Sequence, residues 1–149
     1  MNEHVLHQRG NAFVTSAQAT LHCLSGCIIG EIAGLMIGVA LGLSVGPIIV
    51  LATSLAYLSG MALGLVPVMR NQNKTFLAAL KLIWIGEVVS IGVMEIAMNA
   101  ADYAVGGMQA GSIISPTFWA GVAVAVPAGF LAAWPLNWWL LKRDFKKCH

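Results

Sequence analysis

The chain has 149 residues, 58% of them hydrophobic and 9% charged, with a formal net charge of +2 and a mean hydropathy of +0.81. A soluble domain carries about a quarter charged residues, so this chain lacks the charge to coat a water-soluble globule. The small net charge gives no reason to expect a nucleic-acid partner, and the length fits one domain built from a few spanning helices.

A polar leader, residues 1–13, carries Glu3, His4, His7 and Arg9. The apolar run behind it is too long for the h-region of a cleavable signal, so none is expected. Charges and turn residues cut the remainder into four apolar runs, about 14–42, 47–69, 75–101 and 117–141. Each supplies the ~20 residues needed to cross a hydrocarbon core ~30 Å thick. The expected fold is all-α: a four-helix transmembrane bundle over residues 14–141, followed by a basic tail, 142–149.

The first run holds the densest polar cluster. His22, Cys23, Cys27 and Glu31 sit in sequence that is otherwise apolar enough to span. Cys23, Cys27 and Glu31 recur every four residues and so share one helical stripe, with His22 beside it. A carboxylate near the middle of a bilayer costs at least about 2.5–3.5 kcal/mol and needs a partner, a proton or a metal ion. The same run carries Gly26, Gly30, Gly34, Gly38, Gly42 and Gly46 at an unbroken spacing of four. In lipid, such a stripe lets two helix backbones approach closely. It is expected to pack within the bundle or against another protomer, with Gly60 and Gly64 as a facing groove on the second span.

Gly46-Pro47 opens the second span, with proline where a first helical turn tolerates it. Arg70 to Lys74 is a polar turn between the second and third. On the third span Glu87, Met94, Glu95, Met98 and Asp102 fall within an arc of roughly 100°, flanked by Ser90 and Asn99. The first and third spans cross in the same direction. Glu31 and Glu87 are therefore expected near the midplane, Cys23 and His22 on one side of it and Glu95 on the other, as a polar path between these two helices. Pro116 suits the start of the fourth span, whose Trp119, Trp134, Trp138 and Trp139 fit interfacial belts.

Orientation follows from the basic residues. All 8 of them, Arg9, Arg70, Lys74, Lys81, Lys142, Arg143, Lys146 and Lys147, fall on one side of a four-span arrangement. The positive-inside rule then makes both termini cytoplasmic. The terminal groups His4, His7, Cys148 and His149 share that side and read as ordinary tails. The run Lys142 to Lys147 suits anionic lipid.

Four of the 6 acidic residues thus lie in or at the membrane without a basic residue deep enough to meet them. Such carboxyl groups either hold protons or bind cations. Thiolate and thioether ligands favour Cu(I), imidazole suits copper and zinc, and carboxylates accept harder ions. The leading expectation is a soft metal ion, copper favoured, held by His22, Cys23, Cys27, Glu31, Met94 and Met98. Glu31, Glu87, Glu95, Asn99 and Asp102 would line a path for the ion or for protons. Thiol redox chemistry is a second reading, weakened because the cysteines sit mid-helix rather than at a helix N-terminus. A proton relay is a third, and leaves the cysteines unused. A further alternative is a non-enzymatic accessory subunit, or a homo-oligomer, packing through Gly26, Gly30, Gly34, Gly38 and Gly42. Hydrolysis fits worst, since no G-x-S-x-G, H-E-x-x-H or phosphate loop is present.

The pattern His22-Cys23-x2-Gly26-Cys27-x2-Gly30-Glu31, then Ser90-Ile91-x2-Met94-Glu95-x3-Asn99, then Phe130 to Trp139 with Pro135 and Asn137, resembles a bacterial membrane family classed as domain of unknown function number 4396. The resemblance runs from about Thr20 to Leu141. It implies an integral multi-span protein, in a bacterium one of the inner membrane, and carries no activity with it.

The expected topology has a direct readout. A reporter fused after His149 should be active only when it requires the cytoplasm; activity of a reporter that requires export would overturn the orientation.

Overall fold

The structure, a computed structural model, describes residues 2–143, with side chains from residue 12 onward except at 71 and 72. It consists of four helices, α1 (Asn2–Ala40), α2 (Val45–Gln72), α3 (Phe76–Val105) and α4 (Pro116–Lys142), with no strand among the described residues. All four contain a stretch long and apolar enough to cross a membrane. The chain is thus a multi-pass membrane protein. α1 runs without interruption from Asn2, so the leader expected over residues 1–13 joins the first span as one helix. Cys148, His149, Lys146 and Lys147 lie outside the described residues, as do the side chains of His4 and His7.

Chain reversal at each helix end has a local cause. After α1, Gly42 adopts φ +64°, a left-handed conformation that costs a glycine little. Asn73 ends α2 in the same region, with φ 50°, as asparagine tolerates. Gly106 caps α3 at φ 90°, its N–H reaching the carbonyls of Asp102 and Tyr103. Ser115 starts α4, its hydroxyl accepting from the Thr117 N–H at 3.3 Å ahead of Pro116.

These short connections make sequential neighbours antiparallel. α1 packs most extensively on α2, and α3 on α4, while α4 also contacts α1 and α2 contacts α3. α1 and α3 stand on one diagonal and touch only slightly, while α2 and α4, on the other, do not touch. The stripe on α1 explains its closest contact. A Cβ at Gly30 would run into the Leu55 and Ala56 backbone, and one at Gly34 into that of Ala52. At Gly26 it would lie 2.9 Å from Gly60 Cα, and at Gly38 2.7 Å from the Ile48 side chain. These four glycines are therefore covered by α2 of the same chain. Gly42 and Gly46 do not take part, because nothing lies within 4 Å of a Cβ at either. Gly64 departs from expectation as well: it faces the Glu87 carboxyl of α3, not the α1 stripe.

α4 carries a second small-residue stripe that the sequence reading passed over. Gly121, Ala125, Gly129, Ala133 and Asn137, spaced by four, are its buried residues together with Phe118 and Leu140. A Cβ on Gly129 would approach Met98 Sδ to 2.9 Å. The small side chains of α4 thus leave room for the long thioethers of α3.

Overpacking a close backbone crossing costs about 1–3 kcal/mol. Gly30→Ala and Gly34→Ala should each lose about that much unfolding free energy in detergent, whereas Gly46→Ala should match the parent. Equal stability of all three would contradict the assignment of α1 glycines to the α2 contact.

Candidate functional site

The polar side chains of α1 and α3 meet in the bundle interior despite the diagonal placement of the two helices. They form a column, stacked by the one-turn spacing of each stripe. At the end nearer the 73–75 turn, a cleft of about 260 Å³ opens among α1, α2 and α3, with His22, Cys23, Gly64, Pro67 and Glu87 on its walls. His22 is exposed at this cleft, and its Nε2 lies 3.3 Å from the Leu63 carbonyl oxygen. Cys23 is 4% exposed and its Sγ donates to Glu87 Oε2 at 3.5 Å. A Cβ on Gly64 would come within 3.5 Å of Glu87 Cδ, so the glycine leaves space for that carboxyl.

One turn further along α1, Cys27 is fully buried beside Cys23, and both thiols are free. Its sulfur faces Gly60, where an added Cβ would sit 3.0 Å away. Cys23, Cys27, Met94 and Met98 belong to one buried cluster with Leu24, Ile91 and small residues of α2 and α4. These four sulfur-bearing side chains thus belong to one buried cluster with an opening at Cys23, the Cys27 sulfur facing Gly60 of α2 and the Met98 sulfur Gly129 of α4.

The next turn brings Glu31 of α1 beside Glu95 of α3, at 1% and 2% exposure. The two carboxyl groups lie within hydrogen-bonding reach of each other, and apart from that contact neither Glu31 oxygen nor Glu95 Oε1 has a partner. Asn99 Nδ2 donates to the Glu95 carbonyl at 2.8 Å and to Thr53 Oγ1 at 3.2 Å, and reaches Glu95 Oε2 at 3.5 Å. Those acceptors fix the amide and leave Asn99 Oδ1 buried without a donor. A second opening, between α2 and α3, leads to this level, walled by Thr53, Tyr57, Glu95 and Asn99 among others.

Asp102 serves the fold. Its Oδ2 accepts from the Met108 N–H at 2.8 Å, and Gly107 and Gly121 lie so close that a Cβ on either would strike its carboxyl. The side chain ties the α3–α4 connection to the start of α4, and only Oδ1 is left unpartnered. Its expected place on the path narrows accordingly.

Sequence reasoning also missed a hydrogen-bond network on the α4 side. Asn137 Nδ2 donates to Thr20 Oγ1 at 2.8 Å, and Ser90 Oγ to Asn137 Oδ1 at 2.7 Å. Trp134 Nε1 donates to Ser16 Oγ at 3.1 Å, and its ring lies 4.6 Å from that of Phe13. Trp134 is therefore bound inward, whereas Trp138 carries Lys142 Nζ 3.6 Å from its ring centroid. A lone asparagine in an apolar span was the available signal for this network.

The expected metal ligands are brought together unequally. Cys23, Cys27, Met94 and Met98 share a compartment, while Glu31 sits one level beyond it and His22 at its mouth. Among the described residues, no three His, Cys, Asp or Glu side chains converge as a metal-holding group.

The chain belongs to the family described as a domain of unknown function, DUF4396, whose model matches residues 13–146. No curated protein and no solved structure matches it.

The Asp102 contact has a measurable value. Asp102→Ala would strand a buried N–H, at a cost of about 1–3 kcal/mol, and should lower thermal stability; a variant as stable as the parent would show that the connection does not depend on this carboxyl.

Proposed function

We propose that the protein binds a soft monovalent metal ion, copper(I) foremost, at Cys23 and Cys27 and passes it along the interior of the bundle. The observation that carries this reading is two adjoining thiols, buried with two thioethers in a compartment that opens to a cleft at Cys23. Copper(I) prefers thiolate and thioether ligands, and Met94 and Met98 of the same buried cluster are the source of the latter in this reading. Thiols must lose protons to ligate a metal. Glu87, 3.5 Å from Cys23 Sγ, is placed to receive one. His22 at the mouth suits first capture of the ion from outside.

Passage rather than storage is favoured by the continuation of the column. Beyond the sulfur compartment come Glu31 and Glu95, then Asn99 and, at the far end, Asp102. Sulfur donors followed by oxygen donors form a sequence of weakening affinity for a soft ion, which release requires. The small-residue crossings on α1 and α4 keep the helix backbones close around this column.

Anaerobic copper(I) titration in nanodiscs, against a competing chelator and in a Cys148→Ser background, tests the proposal. The parent should take up about one ion per chain, the Cys23→Ser/Cys27→Ser variant none, and Met94→Leu should bind more weakly. Full stoichiometry in the double variant would refute it.

A further inference from the structure

We infer that Pro67 is a positioning residue for His22: it releases the Leu63 carbonyl from the hydrogen bonding of α2, that carbonyl holds His22 Nε2–H, and Nδ1 is thereby the nitrogen open to an incoming ion. The identity of the ion rests on the copper reading above. The hydrogen bond and the tautomer are properties of the metal-free protein.

Pro67 lies inside α2, within the apolar stretch Val45–Arg70. A helical carbonyl ordinarily accepts from the N–H four residues further on, and proline has none to give. The Leu63 carbonyl therefore loses its helical donor inside an apolar span. A spanning helix tolerates such a break where a neighbouring helix supplies the missing bond. His22 of α1 is that neighbour, with Nε2 3.3 Å from the Leu63 oxygen. A carbonyl oxygen can only accept, so Nε2 carries the proton.

The meeting is set by the register of α1 on α2. Gly26, Gly30 and Gly34 lie against the α2 backbone at Gly60, at Leu55 and Ala56, and at Ala52 in turn. His22 continues that spacing of four by one turn and so falls opposite the turn of α2 that holds Leu63. Ser59 Oγ donates to the Gly26 carbonyl at 2.7 Å. The two helices thus exchange side-chain donors, Ser59 to a carbonyl of α1 and His22 to a carbonyl of α2, one turn apart on each. His22 and Pro67 both line the cleft that holds Cys23 and Glu87. In a neutral imidazole the nitrogen that does not donate is an acceptor. A histidine that ligates a metal commonly donates its other N–H to a backbone carbonyl, which fixes both ring and tautomer. The Leu63 carbonyl has that part here.

A double-mutant cycle reads the coupling. Unfolding equilibria in mixed micelles are compared for the metal-free parent, His22→Phe, Pro67→Ala and the pair. His22→Phe strands the Leu63 carbonyl and should lower the folding constant about tenfold. Pro67→Ala gives position 67 an N–H for that carbonyl, and in its background His22→Phe should cost about twofold or less. Equal losses in the two backgrounds would overturn the inference. Isotope-edited magnetic resonance of the histidine-labelled parent in alkaline buffer, with the His22 signal identified by its loss in His22→Phe, should place the proton on Nε2. A proton on Nδ1 would overturn the inference as well. Both readouts are made without metal, so they decide it whichever way the copper titration falls. Where copper(I) binds, Pro67→Ala should keep the parental stoichiometry and take up the ion about tenfold more slowly; an unchanged rate would show that Pro67 does not position the ring.

Discussion

Carboxyl groups deep in the interior of an apolar bundle constrain everything else in this molecule. Burying a charge without a partner is among the costliest arrangements a protein can adopt, and the bilayer removes water as a remedy. Glu87 meets this constraint through the Cys23 thiol, and Asp102 through the Met108 N–H. Glu31 and Glu95 meet each other, and Glu95 also meets the amide of Asn99 and the hydroxyl of Thr53. Each buried carboxyl thus has a polar neighbour on a different segment, which ties the interior together along its length.

The packing supports that arrangement. Glycines on α1 bring α2 close enough to wall the column on one side, and the small residues of α4 leave the Met94 and Met98 side chains room on the other. Gly60 and Gly64 mark where α2 gives way to the Cys27 sulfur and the Glu87 carboxyl. The polar groups have therefore shaped their neighbours: small residues recur where a thiol, a thioether or a carboxylate must fit. Along α1 the donors change from sulfur at Cys23 and Cys27 to oxygen at Glu31, one turn apart each, so the two ligand chemistries are kept on separate levels.

Much of the architecture was legible because it depends on periodicity and punctuation. Runs of spanning length, Gly and Asn at reversals, and Pro116 after Ser115 all act locally, and the helices fall within a few residues of the expected runs, apart from the N-terminal extension of α1. The convergence of α1 and α3 polar stripes was legible as well, since parallel spans place equal registers at equal depth. What escaped depends on which helices are neighbours. That α1 and α3 lie diagonally, with α2 and α4 closing the column, is a tertiary fact. So are the turn of Gly64 toward Glu87, the capture of Trp134 by Ser16, and the bridge of Asn137 between Thr20 and Ser90. Asp102 was read as part of a path because its stripe position is right; its engagement with Met108 depends on the fold of a connection that helical periodicity does not describe.

The central claim is that the sulfur compartment opens outward at Cys23 and is closed at Cys27. Single-cysteine proteins test it directly: in a Cys148→Ser background, Cys27→Ser leaves Cys23 alone and Cys23→Ser leaves Cys27 alone. With a small water-soluble methanethiosulfonate reagent in nanodiscs, Cys23 should be modified readily and Cys27 far more slowly, because Cys23 lines the cleft and Cys27 is fully buried behind it. Equal rates at the two positions, or a Cys23 that never reacts, would contradict the account.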